Sequence, residues 1–122
     1  MEIKVLYEDN HLIAVYKPAG ILAQGDKSGD ISLLDEVKSH IKRTYNKPGN
    51  VFLGLIHRLD RNVDGVVLFA KTSKGASRIS EQFRNHTIQK IYHAWVRGIP
   101  KESKATLVNY ILHNEKTNMA EV

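Results

Sequence analysis

Two apolar runs of strand length enclose a short, densely charged segment, and this arrangement constrains the fold more than any other feature of the chain. The runs cover residues 51–56 and 65–70 and are rich in Val, Leu, Ile and Phe. Runs of this length and composition are typical of buried strands. Between them, residues 57–64 hold five ionisable side chains in eight positions. We therefore predict a polar loop held by two strands, which is where binding and catalytic groups concentrate.

The segment before these runs predicts two strands and a helix. Residues 3–7 and 12–16 have the composition of short strands, with turn residues between them. Ser32 followed by Asp35 resembles a capping arrangement and predicts a helix N-terminus. Residues 46–50 contain Pro and Gly and predict the end of that helix. Its apolar residues recur at helical spacing: Leu33, Leu34, Val37, Ile41 and Tyr45.

The segment after the runs predicts a second helix and two more strands. Thr72 or Ser73 is a candidate N-cap. The buried side of this helix is predicted to hold Ala76, Ile79 and Phe83. Residues 89–97 alternate as in a strand with Trp95 as a core residue, and residues 105–112 are a further strand candidate. Strands mixed with two helices favour the α+β class, with a mixed, mainly antiparallel sheet and two flanking helices.

Composition and charge narrow the function classes. The 122 residues suffice for a single domain with a core. The net charge is +5, and ten basic residues against four acidic ones lie within residues 57–104. This segment predicts a surface for a polyanion such as nucleic acid, although a basic solvated surface has the same composition. The chain has no cysteine, no signal peptide and no apolar run of membrane length, so we predict a cytoplasmic protein without membrane contact.

A carboxylate between arginines is the chemically informative part of the charged loop. Arg58 and Arg61 flank Asp60, and their charges would keep that carboxylate ionised with a lowered pKa, which suits a nucleophile or an electrostatic stabiliser. A structural network of salt bridges that includes Asp64 is equally compatible with these residues. The histidines, His57 among them, lack metal-ligand spacing, and the glycines form no phosphate-binding fingerprint. We therefore predict neither a metal nor a cofactor.

The sequence His57-Arg58-Leu59-Asp60-Arg61, followed by GVVLFAKT at 65–72, is a recognisable signature. It resembles the signature of RNA pseudouridine synthases of the RluA family. Lys17-Pro18-Ala19-Gly20 and the residues before it are similar to the opening segment of that family. Lys90-Ile91-Tyr92 with Val96 and Gly98 is similar to a later segment. The resemblance runs in order from about residue 7 to residue 98.

This resemblance implies an isomerase, an intramolecular transferase, that converts specific uridines to pseudouridine without cofactor or metal. Its implied partner is structured ribosomal or transfer RNA with the uridine in a stem-loop. The resemblance places the essential catalytic aspartate at Asp60. Arg58 matches the position whose side chain enters the space left by the flipped base, and Tyr92 matches the aromatic residue that stacks on the target uracil. The further predicted substrate-binding residues are His57, Arg61 and Lys90.

Each of these assignments has a structural alternative. Arg58 could form a salt bridge with Asp60 or Asp64 instead of contacting RNA. Tyr92 could be a buried core residue, and Lys90 could form a surface ion pair. At the level of the whole chain, a non-catalytic RNA-binding module and a carboxylate enzyme acting on another polyanion are the alternative functions.

One departure from the family lies inside the charged loop. The family usually has Thr-Ser-Gly at the positions where this chain has Val63-Asp64-Gly65. Asp64 adds a second negative charge near Asp60. That charge would raise the pKa of Asp60 or repel phosphate unless Arg58 or Arg61 neutralises it.

A second departure concerns length. The family continues to a stretch resembling Gly-Arg-x-His-Gln-Ile-Arg, which supplies a basic partner to the aspartate and completes the sheet, and residues 1–122 contain no such stretch. We therefore expect one partial, pseudouridine-synthase-like catalytic domain, incomplete at its C-terminus. It is either a fragment of a longer enzyme or a shortened relative that binds without catalysing. Incomplete sheets expose strand edges, which favours self-association.

Overall fold

The computed structural model describes residues 1–122 and contains two helices and six short strands. The chain divides into two compact units, residues 1–89 and residues 90–122. The elements of the first unit are β1 (Val5–Glu8), β2 (Leu12–Lys17), α1 (Leu33–Thr44), β3 (Gly54–Leu55), β4 (Gly65–Ala70) and α2 (Ser73–Arg84). The predicted α+β class, with a mainly antiparallel sheet and two helices, is confirmed.

The first unit is built on a four-stranded antiparallel sheet with the order β1-β2-β4-β3. The central strands β2 and β4 pair along their full length, from Leu12 opposite Ala70 to Lys17 opposite Gly65. The predicted strand over 51–56 is reduced to the two residues of β3. Lys17, the last residue of β2, lies opposite Gly65, the first residue of β4. The segment after Lys17 and the loop before Gly65 therefore start from the same end of these two strands.

One face of the sheet and one face of α1 form the core. β2 and β4 each contribute two residues that are two apart and so share one face of the sheet, and α1 contributes residues four apart. The fully or almost fully buried members of this cluster are Ile13, Val15, Leu33, Val37, Ile41, Leu53, Val67 and Phe69. Burying each such side chain stabilises the fold by about 1.5–3 kcal/mol before the entropy of ordering is subtracted.

Both helix starts follow the predicted capping chemistry. The Ser32 side chain accepts a hydrogen bond from the Asp35 N–H, and the Asp35 carboxylate accepts from the Ser32 N–H, which completes a capping box. These hydrogen bonds to Ser32 lower the pKa of Asp35. Of the two candidate caps for α2, Thr72 is the one observed, and its hydroxyl accepts from the Gly75 N–H. The predicted inner side of α2 is half-buried: Ala76, Ile79 and Phe83.

The second unit contains one hairpin, formed by β5 (Leu112–Asn114) and β6 (Met119–Glu121). The predicted strand over 89–97 is wrong, and so is the one over 105–112, since regular structure begins at Leu112. The Trp95 side chain, predicted to be in the core, is fully exposed (104%). A strand requires a neighbour for its backbone hydrogen bonds and a cover for its apolar face. Neither segment forms a strand before Leu112, and the side chains of both are exposed.

No helix of this structure is both apolar enough and long enough to cross a membrane.

Candidate functional site

The charged loop, residues 57–64, leads into β4 and is attached at its first residue to the sheet. The backbone N–H of Leu68 in β4 donates a 3.0 Å hydrogen bond to His57 Nε2, so that nitrogen carries no proton. The His57 ring also stacks on Phe83 of α2, with ring centroids 5.1 Å apart and planes inclined by 22°. His57 therefore orders the start of the loop through the sheet and α2. Its contact with a substrate stays a prediction.

Arg61 attaches the middle of the loop to the segments that follow β2. The Gly20 N–H donates to the Arg61 carbonyl over 2.7 Å, and Arg61 Nε donates to the Gly20 carbonyl over 3.0 Å. The guanidinium also forms a 2.8 Å ion pair with Asp30. Half-exposed ion pairs contribute little stability by themselves, so the reciprocal bonds with Gly20 are the firmer anchor. Arg61 thus neutralises Asp30, and the expected neutralisation of Asp64 by Arg61 is not observed.

Lys17 is a further anchor, and sequence reasoning did not single it out. Its side chain is fully buried at the end of β2, and Nζ donates to the carbonyls of Pro18, Ile21 and Arg61 at 3.1, 2.7 and 3.1 Å. Burial lowers the pKa of Lys17, while the negative charges of Asp64 and Asp60 act in the opposite direction. A lysine that ends an apolar strand and precedes Pro-Ala-Gly was the available signal, because lysine is rarely buried unless its ammonium is paired.

Asp64, the last residue of the loop, is attached to β2. Its carboxylate accepts a 2.7 Å hydrogen bond from the Tyr16 hydroxyl in β2. This bond raises the pKa of Tyr16, because a neutral phenol donates to the carboxylate and ionisation would place two negative charges together. The partners of Asp64 are therefore Tyr16 and the nearby Lys17 charge, and not the two arginines of the loop.

The predicted salt-bridge network within the loop does not form. Ion pairs join the N-terminus to Glu36, Arg61 to Asp30, and Lys71 to Glu8. Asp60 is in none of them.

Asp60 and Arg58 are presented to solvent by this fastened loop. Both side chains are exposed, and the alternative in which Arg58 forms a salt bridge with Asp60 or Asp64 is wrong. The Asp60 carbonyl accepts from the Val63 N–H over 3.0 Å, which closes a turn directly after the aspartate. A carboxylate on a backbone fixed on both sides is suited to contact a bound ligand as nucleophile, base or electrostatic partner.

Tyr92 and Lys90 belong to the second unit. The Tyr92 side chain is 63% exposed, so the alternative of a buried core tyrosine is wrong. Lys90 is exposed as well. The predicted contacts of both residues with the substrate stay predictions. No three His, Asp or Glu side chains converge in the way a metal ion would require.

This chain is similar to known proteins of one family. The family model described as RNA pseudouridylate synthase matches residues 11–121. The tRNA pseudouridine synthase C of Vibrio cholerae is 35% identical over 120 residues, which are 98% of this chain and 46% of that protein. The same enzyme from Haemophilus ducreyi is 42% identical over 80% of this chain and 38% of its own length.

Two further relatives extend the comparison. The ribosomal large subunit pseudouridine synthase C of Vibrio vulnificus is 31% identical over 97% of this chain and 36% of its own length. The solved structure of human RNA pseudouridylate synthase domain containing 4 superposes with a TM-score of 0.58 and 26% identity, over 69% of this chain and 30% of that chain. The chain thus spans less than half the length of each relative. A match over nearly all its residues means that the chain belongs to the RNA pseudouridylate synthase family.

Proposed function

We propose that this chain carries the catalytic aspartate of an RNA pseudouridine synthase and that Asp60 is that residue. The observation that carries the proposal is the presentation of Asp60: an exposed carboxylate outside every ion pair, on a loop fastened on both sides, at the position that matches the family signature. The relatives are named for transfer RNA and for ribosomal large-subunit RNA. The substrate proposed here is a uridine in one of these structured RNAs, in a stem-loop, in the cytoplasm.

The proposed reaction is an isomerisation without a co-reactant. The bond between the uracil nitrogen and the anomeric carbon breaks, the base turns, and carbon 5 bonds to the anomeric carbon. Carbon 5 loses its proton and the released ring nitrogen gains one, so the atoms balance. Asp60 can attack the anomeric carbon, abstract the 2′ proton of the sugar, or add to the uracil ring. Each route requires the base to leave the stack, because the carboxylate cannot reach these atoms inside a helix.

The other predicted substrate-binding residues have proposed roles that fit their exposure. Arg58 is exposed and outside every ion pair, so its planar guanidinium is available to stack in the space of the flipped base. Tyr92 exposes its ring, and stacking on uracil contributes about 1–3 kcal/mol per base. His57 and Arg61 act by ordering the loop, with the half-exposed Arg61 also near the RNA backbone, and Lys90 contacts a phosphate.

The test of this function uses RNA labelled with tritium at carbon 5 of uridine, because isomerisation releases that label to water. The intact chain is expected to release tritium, and Asp60→Asn is expected to reduce the rate by at least about a thousandfold. RNA binding should change little, since one surface charge is removed. Asp26→Asn, which alters an exposed carboxylate of another loop, is the matched control and should keep wild-type turnover.

Two results would contradict the assignment. Turnover that survives Asp60→Asn would exclude Asp60 as the catalytic carboxylate. Salt-sensitive RNA binding by the wild-type chain without any tritium release would contradict catalysis by this chain and favour an RNA-binding role for it.

We also propose that this chain self-associates. The second unit exposes most of the apolar side chains of its first half, including Trp95 and Ile99 at 104% and 94%. Exposed apolar surface and the free edge of β1 both favour contact with another copy. Sedimentation velocity should show a mass that rises with concentration, and a compact monomer at every concentration would disprove it.

A further inference from the structure

Asp64 is the last residue of the charged loop, four residues after Asp60, and it has a specific partner. Placed near Asp60 without a partner, a second negative charge would disturb a catalytic carboxylate. The Tyr16 hydroxyl instead donates a 2.7 Å hydrogen bond to the Asp64 carboxylate.

The position of this bond makes it an anchor for the loop. Lys17 lies opposite Gly65 and Tyr16 opposite Val66 in the pairing of β2 with β4. The bond from Tyr16 to Asp64 therefore fastens the first residue beyond the paired part of β4. Gly65 has a φ of +145°, a conformation that glycine adopts without strain and that other residues rarely adopt.

Asp64 also acts on the loop through Lys17. The buried ammonium of Lys17 donates to the carbonyl of Arg61, the residue that follows Asp60. Burial favours the neutral form of Lys17 and lowers its pKa, and the negative charges of Asp64 and Asp60 oppose this effect. The carboxylate of Asp64 thereby supports the charged form of Lys17, which is the form that donates three hydrogen bonds.

We propose that Asp64 is a positioning residue for Asp60: its hydrogen bond with Tyr16 fixes the C-terminal end of the loop on β2, so that the turn carrying Asp60 keeps one conformation. This inference rests on the proposed function only in assigning catalysis to Asp60. Asp64 itself acts through Tyr16 and Lys17.

The chain offers a matched control for this bond. The Tyr45 hydroxyl also donates a 2.7 Å hydrogen bond to a carboxylate, that of Glu8, between α1 and β1. Tyr16→Phe and Tyr45→Phe therefore delete the same group from bonds of the same length. Only the first of these bonds reaches the loop.

The first readout is native-state hydrogen exchange of the Val63 amide, which donates to the Asp60 carbonyl and so reports the turn directly. Tyr16→Phe and Asp64→Ala should each accelerate its exchange by about tenfold, as expected for losing one hydrogen bond to a charged group at an exposed site. The double variant should exchange no faster than Asp64→Ala alone, because that variant already lacks the bond that Tyr16→Phe deletes. Tyr45→Phe should leave Val63 exchange at the wild-type rate.

The second readout is tritium release from uridine-labelled RNA. Tyr16→Phe should lower kcat by about tenfold with KM within about twofold of wild type, as expected when the reacting group is misplaced and substrate binding is kept. Tyr45→Phe should leave both constants unchanged. Wild-type exchange of Val63 in Tyr16→Phe, or equal acceleration in Tyr45→Phe, would overturn the inference. The exchange result stands even where Asp60→Asn fails as a test of function, so the two failures are distinguishable.

Discussion

The two units of this chain contain similar apolar patterns and differ in what those patterns become. In residues 1–89 the alternating residues of β2 and β4 are buried against α1, and Val15 and Phe69 are fully inaccessible. In residues 90–122 the large apolar side chains remain in solvent, with Trp95 at 104% and Tyr110 at 98% exposure. Alternation of apolar and polar residues is therefore insufficient for a strand.

The difference lies in the availability of partners. β2 has a hydrogen-bonded neighbour on each side, and α1 covers its apolar residues. Residues 89–97 form no strand, and their side chains are exposed. Strand propensity measures how well a residue fits a half-buried pleated surface, and it has no effect where that surface is missing.

Local hydrogen bonds form in both units, unlike the long-range strand pairing of the first. The hairpin of residues 112–121 turns around Asn114, whose side-chain oxygen accepts from the N–H groups of Lys116 and Thr117 at 3.0 and 3.3 Å. The capping box of Ser32 and Asp35 is its counterpart in the first unit. Contacts between residues two or three apart do not depend on the rest of the fold, whereas long-range pairing does.

The largest expected difference between the two units is in the unfolding free energy lost when an aromatic residue of each is replaced by alanine. Phe69→Ala removes a fully buried ring from β4 and should lower the free energy of unfolding by about 3–5 kcal/mol. Trp95→Ala removes a larger ring that is fully exposed, and the change should stay within about 0.5 kcal/mol. Urea unfolding followed by far-ultraviolet circular dichroism measures both.

The unfolding free energy of Trp95→Ala tests whether the two units differ in this way. A loss of more than about 2 kcal/mol in Trp95→Ala would mean that Trp95 is packed in solution, because exposed positions do not show such losses. That result would move residues 90–122 into the same class as the first unit.

Sequence patterns predicted the first unit well because its signals are local or have partners within the chain. The strand at 65–70 and the capping box at Ser32 were predicted at the observed positions. The run at 51–56 was shortened to two residues because β4 pairs with it only at Gly54 and Leu55. The strands at 89–97 and 105–112 failed because no sequence pattern states whether a neighbouring strand is present.

The sequence also predicted some residues of the candidate site and missed others. The signature around Asp60 singled out the exposed residues, since Arg58 and Asp60 lie in a charged segment between two apolar runs. The residues that fasten the loop were predicted poorly, because their partners are distant in sequence: Lys17 reaches Arg61 and Tyr16 reaches Asp64. Such contacts follow from the register of β2 with β4, which the residues alone do not determine.

The smallest expected effect tests the local class of contact through its pH dependence. Hydrogen bonds from Ser32 hold the pKa of Asp35 below its ordinary value of 3.8. The ionised carboxylate is therefore favoured in the folded state, and its contribution is complete above pH 3.8 and is lost as the pH falls through the lowered folded value. Asp35→Asn should cost about 0.3–1 kcal/mol of unfolding free energy at neutral pH, the range for an acidic group in the first turn of a helix.

Urea unfolding of wild type and Asp35→Asn at several acidic pH values shows whether the charge of Asp35 is the cause of this cost. The difference between wild type and Asp35→Asn should shrink as the pH falls below 3.8, because protonation makes the two side chains nearly equivalent in charge. Asn114→Ala is the control in the second unit: its turn contains a neutral acceptor, so its effect should not vary over the same pH range. A pH-independent cost of Asp35→Asn would show that side-chain shape, and not charge, stabilises the start of α1.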